Sequence, residues 1–163
     1  MTISAGDTLP DANFLLMTDE GPQTVKLSDK LSGRKVVIFG LPGAYTGTCS
    51  SAHVPSFIRT KGDFDAKGVD EIICVSVNDP FVMQAWAKDT GADAAGLSFL
   101  ADADCSFTKA IGMEFSAPPV GLIARSKRYA MYVENGKVSF LNEEEGPGVC
   151  DVTAGEAMLQ QIT

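Results

Sequence analysis

The chain lacks any Cys-x-x-Cys pair, holds a single histidine, and has no apolar run longer than a β-strand needs. Each shortage removes a class of function. The four cysteines, Cys49, Cys74, Cys105 and Cys150, form neither the paired-thiol motif of a dithiol oxidoreductase nor the ligand pairs of a zinc ribbon. No segment is long enough to cross a bilayer. Positive charge is scarce: 13 Lys and Arg face 21 Asp and Glu, a net charge of −8 at pH 7, with a pI near 4.5. That balance argues against nucleic acid and against an anionic membrane surface as partners, and it is compatible with a small neutral substrate. Met1–Asp7 offers neither a basic segment followed by an apolar one nor an Arg-rich transit pattern, so no targeting leader is expected there. The cysteines are then expected to be reduced thiols in the cytoplasm, not the structural disulfides of a secreted protein. Repeats, low-complexity tracts and linkers are also missing. With 163 residues, 45% hydrophobic and 21% charged, a single domain over 1–163 is expected.

Strand and helix patterns alternate along the chain. Phe14–Met17 and Gln23–Leu27 flank the turn-rich Thr18–Pro22 and predict a hairpin, followed by a short helical turn capped by Ser28. Val36–Phe39, Glu71–Val77 and Leu97–Leu100 are apolar runs of buried-strand type. Between them lie helices, one from Thr48 to about Lys61 with a kink at Pro55, one opening at Asn78-Asp79-Pro80. Asp104–Ile111 predicts a helix ended by Gly112. Tyr129–Val133 and Lys137–Leu141 meet at Glu134-Asn135-Gly136, where Asn-Gly suits a type I′ turn. A last helix covers Ala154–Ile162. This order implies an α/β fold, a mixed sheet with helices on both faces.

Cys49 carries the strongest functional signal. It follows a strand, a Pro/Gly turn and a hydroxyl-rich approach, Leu41-Pro42-Gly43-Ala44-Tyr45-Thr46-Gly47-Thr48. That order holds a thiol at the first turn of a helix, where free backbone N–H groups and the helix dipole favour the reactive thiolate. Cys49 therefore reads as a nucleophile.

The spacing Pro42-x-x-x-Thr46-x-x-Cys49 resembles the signature of the peroxiredoxins. The wider string from Pro42 to Phe57, with His53-Val54-Pro55, is similar to the peroxiredoxin-five or type II subfamily, as are Gly68–Met83 and Arg125-Ser126-Lys127-Arg128-Tyr129. Gly47 departs from the family, which usually has proline there. The resemblance implies a thioredoxin-like fold and a thiol peroxidase that needs no metal or organic cofactor, with cysteine itself as the redox centre. It implies peroxidatic attack by Cys49 on hydrogen peroxide or an alkyl hydroperoxide, giving a sulfenic acid. It assigns the pocket to Pro42, the peroxide-orienting hydroxyl to Thr46, and the stabilising guanidinium to Arg128, with Arg125 as the competitor. It also implies that Cys150, after the acidic, Gly/Pro-rich and mobile-looking Asn142–Val149, resolves the sulfenic acid as a disulfide with Cys49. Thioredoxin or glutathione with glutaredoxin would recycle the enzyme, and a homodimer, with Phe81 near its face, is the expected assembly. Two alternatives stay open: a one-cysteine, glutathione-linked peroxidase, and a redox-sensing thiol protein with little turnover.

His53 lies one helical turn after Cys49. A Cys–His pair invites a general-base reading, but no oxyanion-hole or Asn/Asp partner signature accompanies it, and a local hydrogen-bonding role is expected instead. Cys74 sits in the strand pattern Ile72-Ile73-Cys74-Val75 and reads as a core residue. Cys105 opens a helix, but Asp102 and Asp104 oppose its ionisation. Met83 and Trp86 read as helix core.

Overall fold

The structure, a computed structural model, describes residues 2–162; Met1 and Thr163 of the expected 1–163 domain lie outside them. Seven strands make one mixed sheet in the order β2-β1-β5-β4-β3-β8-β9. The strands are β1 (Asn13–Thr18), β2 (Gly21–Lys26), β3 (Lys35–Leu41), β4 (Glu71–Ser76), β5 (Ser98–Ala101), β8 (Tyr129–Glu134) and β9 (Lys137–Glu143). The central pairs β3–β4 and β4–β5 are parallel and the remaining pairs antiparallel. In β3 every residue after Lys35 is buried, as an apolar strand covered on both faces requires.

Alternation along the strands divides the core in two. Val37, Phe39, Ile72, Cys74 and Tyr132 face α2 (Val54–Ala66), α3 (Pro80–Thr90) and α6 (Gly155–Gln161). Val36, Ile38, Ile73, Val75 and Met131 face α1 (Leu27–Leu31) and α5 (Ser106–Ala110). A short α4 (Ala92–Ala95) links α3 to β5. Helices on both faces of a mixed sheet give the expected thioredoxin-like fold. The first face is aromatic: Phe39 and Phe57 stack at 4.2 Å between ring centroids, a contact whose truncation to alanine typically costs about 3–5 kcal/mol.

Three local expectations change. Ser28 caps nothing: α1 begins at Leu27, its N-cap position is Lys26, and no side chain caps it. The helix expected from Thr48 opens as a π-helical turn, Cys49–His53, and becomes α-helical at Val54. Pro55 therefore lies inside a continuous helix, and the irregularity expected at it takes the form of the wider turn directly ahead of it. Finally, the region after Gly112 holds an unexpected two-stranded hairpin, β6 (Glu114–Ala117) and β7 (Leu122–Ser126). The Asn135-Gly136 turn is as read, with φ of +48° and +79°. Asp79 accepts from the Val82 N–H at 2.9 Å and caps α3 directly before Pro80.

Candidate active site

The loop from Pro42 to Thr48 joins β3 to the π-helical turn. Its backbone is bent sharply at Tyr45 (φ +65°), a left-handed conformation uncommon for a non-glycine residue. Neighbouring elements hold it there. The Asn78 side-chain oxygen accepts from the Ala44 N–H at 3.0 Å. The Tyr45 hydroxyl donates to Asp89 on α3 at 2.6 Å, and the Trp86 indole donates to Ser50 Oγ at 3.0 Å. From the other side Arg125 on β7 donates to the Pro42 carbonyl at 3.2 Å. Gly43 permits that approach, since a Cβ there would overlap the Arg125 guanidinium.

Cys49 is fully buried, and Arg128 Nη2 donates to its sulfur at 3.1 Å. The same nitrogen donates to the Pro147 carbonyl at 2.9 Å, while Nη1 meets His53 Nδ1 at 2.8 Å. Arg128 is only 2% exposed. Among the described residues no carboxylate lies within ion-pair distance of it. A buried cation without a counter-charge is costly, and the Cys49 sulfur is the one group touching the guanidinium that can become an anion. The contact thus directs the buried positive charge at that sulfur. Arg125, the sequence competitor, braces the loop and makes no hydrogen bond to that sulfur.

The Thr46 hydroxyl donates to the Gly43 carbonyl at 2.8 Å. With its proton committed, its oxygen is left as an acceptor. Pro42 is buried beneath the loop.

The stretch read as a mobile loop makes defined hydrogen bonds to its surroundings. Glu144 is buried, and its Oε2 accepts from the N–H groups of Asp151 (2.7 Å) and Thr153 (2.8 Å) and from the Thr153 hydroxyl (2.7 Å). Thr48 Oγ1 donates to the Gly148 carbonyl at 3.2 Å, so this segment lies against the Cys49 loop. Cys150 within it is half-buried and unpaired; burial is the largest cause raising its thiol pKa, partly offset by the Arg128 charge. Cys74 is buried opposite Phe39, and burial first, then Cys49, hold it well above the usual thiol range. Cys105 is pushed up to about 11 by burial and by Asp102 and Glu114; Glu114, not Asp104, is the second opposing carboxylate. Trp86 and Met83 are core residues as read, whereas Phe81 is 65% exposed.

His53 is fully buried, and its pKa falls from 6.5 to about 3, by desolvation first and then by the Arg128 charge, against a smaller opposing effect of the Thr153 bond. It stays neutral at physiological pH, which removes the general-base reading as a proton acceptor of ordinary strength. The unfolded chain takes up a proton near pH 6.5 that the folded chain refuses until about pH 3. Stability therefore rises with pH across that window and is lost on acidification. Between pH 6.5 and about pH 5 the loss is about 1–2 kcal/mol. Because His53 is the sole histidine, urea midpoints at these two pH values should differ in the wild type and nearly coincide in His53→Asn; equal midpoints in the wild type would refute the assignment.

Several members of this site gave no signal of their role in the sequence. Glu144 and Thr153 lie in a stretch of turn-like composition. Trp86 has the helical spacing of a core residue, which conceals its bond to Ser50. Arg125 braces Pro42 from a hairpin that no periodicity announced.

Residues 4–159 match the family model described as Redoxin. Peroxiredoxin-2F, mitochondrial, of Arabidopsis thaliana is 50% identical over 139 residues, covering 85% of this chain and 69% of the relative. Peroxiredoxin-2C of Oryza sativa subsp. japonica is 44% identical over 161 residues, 98% of each chain. The crystal structure of reduced Prx3 in complex with H2O2 from Vibrio vulnificus superposes with a TM-score of 0.92 at 42% identity, covering 99% of this chain and 100% of that one.

Proposed function

The chain belongs to the peroxiredoxin family and is a thiol-dependent peroxidase, and on that premise we propose that Cys49 is its peroxidatic cysteine. The thiolate attacks the outer oxygen of hydrogen peroxide or a small alkyl hydroperoxide. The O–O bond breaks, an S–O bond forms, and the leaving oxygen departs as water or an alcohol after taking up a proton. The Arg128 guanidinium stabilises the thiolate before the reaction and the charge on the leaving oxygen during it. Thr46 accepts a hydrogen bond from the incoming peroxide, and Pro42 shapes and shields the pocket. The observation that carries this reading is the 3.1 Å contact between a buried guanidinium, without a carboxylate partner, and the Cys49 sulfur.

The same proposal gives Cys150 the resolving role. Its thiol condenses with the Cys49 sulfenic acid, forming the S–S bond and releasing water, and thioredoxin or glutathione with glutaredoxin then reduces the disulfide in the cytoplasm. Contact of its segment with the Cys49 loop through Thr48 and Arg128 supports this. A second copy of the chain is the proposed assembly partner, across the face carrying exposed Phe81 and Tyr45.

Mass spectrometry of peroxide-treated protein tests the scheme. The expected product is a Cys49–Cys150 disulfide, in a dimer under native conditions. Cys150→Ser should still consume one equivalent of peroxide, then accumulate sulfenic acid and overoxidise, with thioredoxin-supported turnover sharply reduced. Wild-type thioredoxin turnover in this variant, with no disulfide in the oxidised wild type, would transfer the mechanism to a one-cysteine, glutathione-linked cycle. Oxidation once without turnover under any reductant would identify a sensor.

A further inference from the structure

We propose that His53 is a positioning residue of the peroxidase reaction, holding the Arg128 guanidinium in place against the Cys49 sulfur. This rests on Cys49 and Arg128 being the reacting pair.

The proton arrangement follows from the partners. Arg128 Nη1 can only donate, so His53 Nδ1, 2.8 Å away, must accept. The ring proton therefore sits on Nε2 and is donated to the Thr153 carbonyl at 3.1 Å. Thr153 is itself fixed by Glu144, which binds both its N–H and its hydroxyl. The Glu144 N–H in turn donates to the Arg128 carbonyl at 3.0 Å. The chain of bonds closes on itself: Arg128 side chain, His53, Thr153, Glu144, Arg128 backbone. Thr153 thus anchors the imidazole so that a lone pair points at the guanidinium.

Arg128 needs that anchor. Its Nε is buried with no hydrogen-bond partner. Of the two terminal nitrogens, Nη2 is shared between Cys49 and Pro147, which leaves the bond to His53 as the one side-chain contact that holds Nη1. His53 stands on the π-helical turn that also carries Cys49, so its bond to Nη1 sets the guanidinium in register with the sulfur. Only a neutral acceptor can occupy this place without repelling the cation or competing with the thiolate for it. A purely structural role is the rival explanation, since the ring also packs 4.8 Å from Phe39 and 5.7 Å from Phe57 between centroids.

Three variants separate the two roles. In His53→Asn the side-chain oxygen falls near the ring Nδ1 and keeps an acceptor for Arg128. In His53→Gln the amide nitrogen falls near Nε2 and keeps only the donor to Thr153. His53→Leu keeps neither. The readout is single-turnover consumption of hydrogen peroxide without any reductant, with Tm measured on the same samples. Gln and Leu are expected to lose about tenfold to hundredfold in rate, the range for a reacting group displaced by up to an ångström. Asn should stay near the wild type. Equal losses in Asn and Gln, greater loss in Asn, or a wild-type rate in Gln would overturn the proposal, and these hold even if Leu fails to fold. If Arg128→Met were itself harmless, the reacting-pair reading would fail; if it is damaging while Gln is not, only the His53 role fails.

Discussion

Cys49→Ser is expected to abolish peroxide turnover. A serine hydroxyl is essentially un-ionised at neutral pH and has no sulfenic acid chemistry, so both the attack and the cycle that follows are lost. The other thiols are poor substitutes. Cys74 is buried and held well above the usual thiol range, and Cys105 is pushed up to about 11. Burial also raises Cys150, and its sulfur has no hydrogen bond from Arg128. Neither folding nor the rest of the site should suffer, because serine differs by one atom. Steady-state hydrogen peroxide consumption with excess dithiothreitol gives the measurement. Turnover above the buffer rate in the folded variant would mean that a different cysteine is the nucleophile.

Arg128→Met should slow peroxide reduction by roughly 10²-fold or more, about 3 kcal/mol of transition-state stabilisation, the size expected when one charged donor to a developing oxyanion is removed. Methionine keeps the apolar stem of arginine but ends short of the guanidinium, leaving His53 Nδ1 and the Pro147 carbonyl without that donor. The buried charge disappears along with its desolvation cost, which offsets the two hydrogen bonds lost, and the Tm should change little. A large loss of rate without a loss of stability distinguishes a chemical role from a scaffolding one. Arg125→Met should cost only a few-fold, because Arg125 touches the Pro42 carbonyl and not the sulfur. A reversal of the two effects in stopped-flow peroxide oxidation would assign the reaction to Arg125.

Much of this was legible in sequence because the signals are local. Val36–Phe39 and Glu71–Val77 are apolar runs long enough for one strand each, and the alternation of strands with helices admits little besides a mixed sheet covered on both faces. Asn135-Gly136 and Asp79-Pro80 set their own backbone. The misread elements are those whose local signals are weak or balanced. Ser28 has the side chain of a cap, yet α1 starts one residue earlier because Leu27 and Leu31 both turn into the core. The β6–β7 hairpin is short and half-exposed, and its strands alternate too little to show a period. Glu145, Gly146 and Pro147 have the composition of a free loop, but the neighbouring Glu144 carboxylate finds three donors and fastens the segment.

The linear order of residues specifies the α/β architecture, the placement of Cys49 at the start of a helix after a Pro/Gly turn, and the resemblance to one peroxiredoxin subfamily. Each depends on residues within a few positions of one another, so the linear order carries it. The resemblance favoured Arg128 over Arg125, and tertiary structure shows which of the two meets the sulfur. Arg125 and Arg128 are close in sequence and chemically identical, but β7 carries the first to the Pro42 carbonyl, and the link into β8 buries the second against Cys49. It likewise decided the state of His53, an ordinary histidine in sequence that becomes a neutral acceptor because burial and a neighbouring cation both oppose its proton. Protonation and pairing are set by what surrounds a group in space, and those neighbours come from far along the chain.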